Sequence, residues 1–175
     1  KMSKFKSAHI GFSIDAIGEK NNYIRYGSKW ENILNNLKRY MEDCKKYNNV
    51  NIGVRATMTP WNIYYYDENY DYFKNLGITA TGIWCDDTPW NDVRYLPNKI
   101  KEAVINKLSQ YKNPEPLWDN EFANLEKWLK TTPDDHEKLQ NSFITFNNKV
   151  DKVRKEQFSD TFPEYSKLFV QYGHI

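Results

Sequence analysis

The chain has 175 residues, with 25 Lys and Arg against 23 Asp and Glu, a formal net charge of +2, and 16% aromatic residues. That length supports one domain with a real core, and the aromatic share argues against disorder over most of it. The basic residues are scattered, so nucleic acid is not an expected partner, and no apolar run approaches the roughly 20 residues that cross a bilayer.

The chain begins at Lys1 and reads as the body of a longer protein. Its two cysteines, Cys44 and Cys85, have no metal-type spacing and read as free thiols in a reducing cytoplasm. Residues 8–15 (Ala8, Ile10, Phe12, Ile14) alternate as a buried strand and end in Ser13-Ile14-Asp15. A polar loop containing Gly18, Arg25 and Gly27 follows. Ser28 with Glu31 forms a capping-box pattern ahead of a helix to about Tyr47, with Trp30, Ile33, Leu34, Leu37, Tyr40, Met41 and Cys44 on one stripe.

Residues 50–58 read as a second strand with Thr57 near its carboxyl end. Pro60-Trp61-Asn62 is a short loop, and 62–76 form a helix closed by Gly77. A third strand covers 78–85 and ends in the turn Asp86-Asp87-Thr88-Pro89. Strand, helix, strand, helix, strand implies a parallel sheet with right-handed crossovers. Residues 92–96 read as extended, and Pro97 opens a helix carrying Ile100, Val104 and Leu108. Pro114 and Pro116 mark a break, after which one helix carries Phe122, Leu125 and Leu129. A single further helix, capped near Thr132–Asp134, carries Leu139, Phe143, Phe146, Val150 and Val153. Residues 158–170 are too apolar for a free tail and should dock on the body. The expected organisation is α/β over 1–111 and helical over 112–175. Three strands are few for a parallel sheet, which implies part of a larger one.

Ligands of α/β proteins sit at the carboxyl ends of parallel strands. Ser13 and Asp15 are two residues apart on a strand and share a face. They suit a polar ligand with hydroxyls, unless Asp15 caps its own loop. Arg25 suits a carboxylate, which guanidinium grips bidentately, or else pairs with Glu19 or Asp15 to hold the loop. Thr57 and Asn62 stand at the second strand's end and suit a pocket wall. Asp86 and Asp87 are acid–base candidates but more ordinarily solvated turn residues. His9, His136 and His174 show no ligand spacing, and Tyr64, Tyr65, Tyr66, Tyr70 and Tyr72 read as packing rather than a base-stacking platform. Catalytic residues cannot be named from the sequence, and no metal ligands are expected.

The pattern Ser13-Ile14-Asp15-Ala16, Tyr23-Ile24-Arg25-Tyr26-Gly27, Trp30 and Asn36-Leu37-Lys38-Arg39 resembles the fourth strand and following helix of radical S-adenosylmethionine (SAM) enzymes. It is most similar to the twitch-domain proteins of phage and bacteria. Thr57 with Asn62, Ile83-Trp84, Pro89, Tyr95-Leu96-Pro97 with Lys101, and Asn147, Asp151, Arg154 and Phe162-Pro163-Glu164 extend the resemblance along the chain. It implies three βα units of a six-stranded partial parallel barrel followed by a helical extension. It implies SAM held by Ser13, Asp15, Arg25, Thr57 and Asn62, and cleavage of SAM to a 5′-deoxyadenosyl radical acting on an unknown substrate. It also implies a [4Fe–4S] cluster, but the C-x3-C-x2-C loop that holds it is absent here, and residues 111–175 contain no Cys. The cluster ligands would then lie in a missing N-terminal half, and this chain would be catalytically incomplete. The competing expectation is a cluster-less homologue that serves as a binding or interaction module. Either implies a cytoplasmic protein, in the host if phage-encoded, with no membrane partner.

Overall fold

The structure is a computed structural model that describes residues 4–112 and 116–174. It is α/β, with a three-stranded parallel sheet of order β1-β2-β3. The strands are β1 (Ala8–Ser13), β2 (Val50–Met58) and β3 (Thr79–Trp84). The helices, in chain order, are α1 (Gly18–Ile24), α2 (Trp30–Cys44), α3 (Tyr66–Asn75), α4 (Asn98–Gln110), α5 (Pro116–Lys130), α6 (His136–Leu139), α7 (Ser142–Arg154), α8 (Phe158–Thr161) and α9 (Pro163–Gln171). The chain folds into two compact units. The first runs to Thr57 and resumes over Glu68–Ile83; the second holds Met58–Asp67 and everything from Trp84 on.

In the first unit β1 pairs with β2 in parallel, from Ala8 opposite Val50 to Ser13 opposite Arg55. The alternation seen in sequence is real: along β1, His9, Gly11 and Ser13 are exposed while Ala8, Ile10 and Phe12 are half-buried. The core holds Ile14, Val54, Leu37, Tyr70 and Phe73. Ring contacts tie α2 to both neighbours, Phe12 to Tyr40 at 5.5 Å and Trp30 to Tyr72 at 5.8 Å. Gly77 has φ +73 and ends α3 as expected, because the Ile78 amide donates back to Phe73 O at 2.9 Å and the turn needs a left-handed residue. At Gly53 a Cβ would lie 2.9 Å from Cε1 of the exposed His9 side chain, which would have to turn aside.

Three local expectations fail in this unit or beside it. The loop after β1 contains α1, which its mostly polar sequence hides; Tyr23, at 3% exposure, is its buried apolar anchor. The capping box does not form, since α2 is preceded by Lys29 and the Ser28 hydroxyl has no hydrogen-bond partner. The segment 62–76 is a 3-10 turn, Ile63–Tyr65, leading into a shorter α3.

The second unit is helical and aromatic. Its core includes Ile63, Leu96, Ile100, Val104, Leu125, Phe143, Phe158, Phe162, Tyr165 and Phe169. Burial of Phe158, Phe162, Tyr165 and Phe169 shows that the C-terminal stretch does dock, and each such ring removes about 1.5–3 kcal/mol of exposed apolar surface from water. Residues 92–96 are a 3-10 turn, Val93–Tyr95, rather than extended, because the Asp92 carboxylate accepts the Arg94 amide at 2.9 Å and tightens the chain. The expected single helix after Pro133 is two, α6 and α7. His136 is 3% exposed with Nε2 3.0 Å from Leu96 O, which pins α6 by a contact apart from the Phe143 face of α7. The break expected at Pro114 lies outside the described residues, and Pro116 begins α5 rather than interrupting it. Among the described residues, no helix is long and apolar enough to cross a membrane.

Candidate functional site

The strongest polar constellation of the first unit is built on Asp15, just past the carboxyl end of β1. Asp15 is 7% exposed. Its Oδ2 accepts from Arg25 Nε at 2.8 Å, and its Oδ1 accepts from the Thr57 amide at 2.9 Å. Its backbone carbonyl accepts from Asn69 Nδ2 at 3.2 Å. One carboxylate thus links the end of β1, the end of β2 and the residue after α1. A buried carboxylate requires such partners, since an unpaired one is far too costly.

Arg25 is the outlet of this network. It follows α1, its amide held by Asn21 O at 2.8 Å, and its side chain is 40% exposed. Among the described residues its guanidinium spends only Nε, on Asp15, so both terminal nitrogens keep their donors for another acceptor. The arrangement is a cation anchored from behind and open in front, suited to a carboxylate or another oxyanion.

Two amides surround this region without full satisfaction. Asn21 is 0% exposed and, among the described residues, neither of its amide atoms has a hydrogen-bond partner; the Asn69 Oδ1 is likewise orphaned there. Neither residue was singled out from sequence. Asn69 could have been, because it falls at i+3 of the stripe Tyr66, Tyr70, Phe73, a polar side chain where the helix buries apolar ones. Asn21 sits in a mostly polar helix with no apolar stripe and gives no such signal.

Of the predicted site residues, Ser13, Asp15, Arg25 and Thr57 lie in the first unit and Asn62 in the second. Asp15, Arg25 and Thr57 come together, Thr57 by its backbone amide. Ser13 lies exposed at the end of β1, opposite Arg55, and its hydroxyl joins no hydrogen bond among the described residues. Asn62 belongs to the second unit, where its Oδ1 accepts the Thr59 amide at 2.8 Å and shapes the turn after β2.

Other candidates of the second unit have local tasks. Asp87 accepts from the Cys85 thiol at 3.1 Å, from Asn91 at 3.2 Å and from Thr88 at 3.3 Å, which holds its carboxyl below the usual range. Burial, aided by the Asp87 bond, pushes the Cys85 thiol up to about 11, so it stays protonated at neutral pH. Lys101, 5% exposed, donates to Arg94 O at 3.2 Å, and burial lowers its pKa. Asn147 and Asp151 are buried at 1% and 8%. Asn147 Oδ1 accepts Trp61 Nε1 at 2.7 Å, and Asp151 Oδ2 accepts the Phe158 amide at 2.8 Å, which starts α8. Their place in the sequence pattern is thereby given a structural cause.

Comparison of the chain with protein families, with curated proteins and with solved structures found no match.

Proposed function

We propose that the first unit is the cofactor-binding part of a radical SAM enzyme, three βα units of a partial barrel, with Arg25 taking the carboxylate of SAM. The observation that carries this is the Asp15-anchored guanidinium at the carboxyl ends of β1 and β2, with its terminal nitrogens unspent. Asp15 sets the orientation of Arg25 and so works behind the ligand, while the exposed Ser13 hydroxyl is left for a ribose or amino-acid group. SAM, when bound together with a reduced [4Fe–4S] cluster, supplies the radical chemistry.

The residues present do not fit that cluster. The chain's two cysteines lie in different units, and the Cys85 thiol is held protonated. Among the described residues no group of three His, Cys, Asp or Glu is arranged to hold a metal ion. No reaction step is therefore derived for this chain, whose own task is to bind and orient. The same misfit favours the second reading, a cluster-less homologue that retains an oxyanion-binding pocket as an interaction module.

The test is calorimetric titration of the chain with SAM, for the native sequence and for Arg25→Ala. The expected result is saturable binding that falls at least tenfold in the variant while the circular dichroism spectrum is unchanged. No binding to the native chain, or equal affinity in both, removes the SAM assignment.

A further inference from the structure

In the second unit, α7 presents Ser142, Thr145, Phe146 and Lys149 at i, i+3, i+4 and i+7, so they form one stripe. That stripe, together with Trp90, Asn141 and Lys138, lines a groove of about 490 Å³. Trp90 stacks on Phe146 at 5.2 Å and 18°, and Trp61 meets the same Phe146 edge-on at 6.0 Å, which fixes the aromatic floor. No Asp or Glu lines the groove. Lys138 and Lys149 are exposed and have no ion-pair partner among the described residues. Four other exposed lysines do pair with a carboxylate on their own helix turn, Lys45, Lys46, Lys99 and Lys130.

We infer that this groove binds a nucleoside phosphate. The Trp90 ring offers a stacking surface for a base, because every base has a π-face and stacking contributes strongly without sequence preference. Thr145 offers a hydroxyl, and Asn141, whose Oδ1 meets His174 Nδ1 at 3.1 Å, offers its amide nitrogen to a sugar. The two unpaired ammonium groups supply the positive charge that a phosphate needs. The stripe from Ser142 to Lys149 spans about 10 Å of helix, which suits an extended ligand with a ring at one place and an anion at another. The absence of lining carboxylates removes the repulsion that would otherwise exclude a polyanion. The ligand is either a free nucleotide or the phosphorylated end of a single strand, which share this chemistry.

Equilibrium dialysis of the full chain tests the inference, with labelled ATP, with inorganic phosphate and with a 5′-phosphorylated oligothymidylate as probes. ATP should bind saturably and inorganic phosphate far more weakly. Trp90→Leu should weaken ATP about tenfold, the loss of one base stack. The double variant Lys138→Glu, Lys149→Glu touches only exposed side chains, retains the fold, and should weaken ATP by at least that factor. Lys167→Glu, an exposed lysine outside the groove, should leave affinity unchanged. Tighter binding of the oligonucleotide than of ATP assigns the groove to strand ends, and the reverse assigns it to free nucleotide. Failure of ATP and the oligonucleotide to saturate, or equal affinity in the charge-reversed variant, overturns the proposal.

Discussion

Two buried carboxylates, one in each unit, teach opposite lessons. Asp151 is 8% exposed and accepts the amide of Phe158, itself 4% exposed, with Asn147 at 1% beside it. Asp15 is 7% exposed and accepts the Thr57 amide in the same way, yet its other oxygen holds Arg25, whose side chain is 40% exposed. Burial alone does not mark a binding site. The difference is in the partners: Asp151 Oδ2 meets the buried Phe158 amide and Asn147, whereas Asp15 Oδ2 meets a part-exposed guanidinium.

The comparison breaks first on stability. Asp151→Ala removes the acceptor of the Phe158 amide and of Asn147 Nδ2 inside a packed aromatic core, and should cost about 3 kcal/mol in urea denaturation with no specific effect on SAM affinity. Asp15→Ala strands the Thr57 amide and frees Arg25, and should cost about 2 kcal/mol while also weakening SAM binding. Arg25→Ala leaves the buried Asp15 carboxylate with the Thr57 amide but without its ion pair, so it should cost about 1–2 kcal/mol, less than Asp151→Ala, and its main effect should fall on the ligand. If Arg25→Ala destabilises as much as Asp151→Ala, the guanidinium is a structural prop and the distinction collapses.

The smallest effect belongs to a third carboxylate, Asp87, which is exposed and serves a turn. Asp87→Ala should leave the denaturation midpoint at neutral pH unchanged within error. The readout is Cys85. Its folded pKa is raised from 9.0 to about 11, so any stability it contributes is full below pH 9.0 and is lost as pH rises through about 11. Alkylation at pH 8 should be on the order of tenfold or more slower than that of a small free thiol. It should accelerate modestly in Asp87→Ala, because burial, the larger cause, remains. Mass spectrometry of timed samples decides this.

Much of the fold was legible because the first two strands announce themselves by alternation. Ile10, Phe12 and Ile14 against Gly11 and Ser13 give the sheet, and Gly77 gives the end of α3. The docking of 158–170 followed from its rings. What stayed hidden depends on contacts distant in sequence. The division of α6 from α7 comes from His136 meeting Leu96 O, 40 residues away, and α1 is stabilised by burial of Tyr23 rather than by any apolar stripe. Ser28 carried the right pattern for a cap, but the helix starts after Lys29. Around the site, the alternative pairing of Arg25 with Asp15 is the one that forms, and it leaves room for the ligand reading because only Nε is used. Asn62 could not be placed from sequence, because a turn-forming asparagine and a pocket-lining one look alike.

The central claim is that Arg25 reads a ligand carboxylate. The most direct measurement compares SAM with its decarboxylated form, for the native chain and for Arg25→Ala, by calorimetric titration. The account predicts that the native chain prefers SAM by at least about tenfold, the scale of one charge-assisted bidentate contact, and that the preference disappears in the variant. Equal affinity of the native chain for the two compounds, or a preference that survives the loss of Arg25, would contradict it.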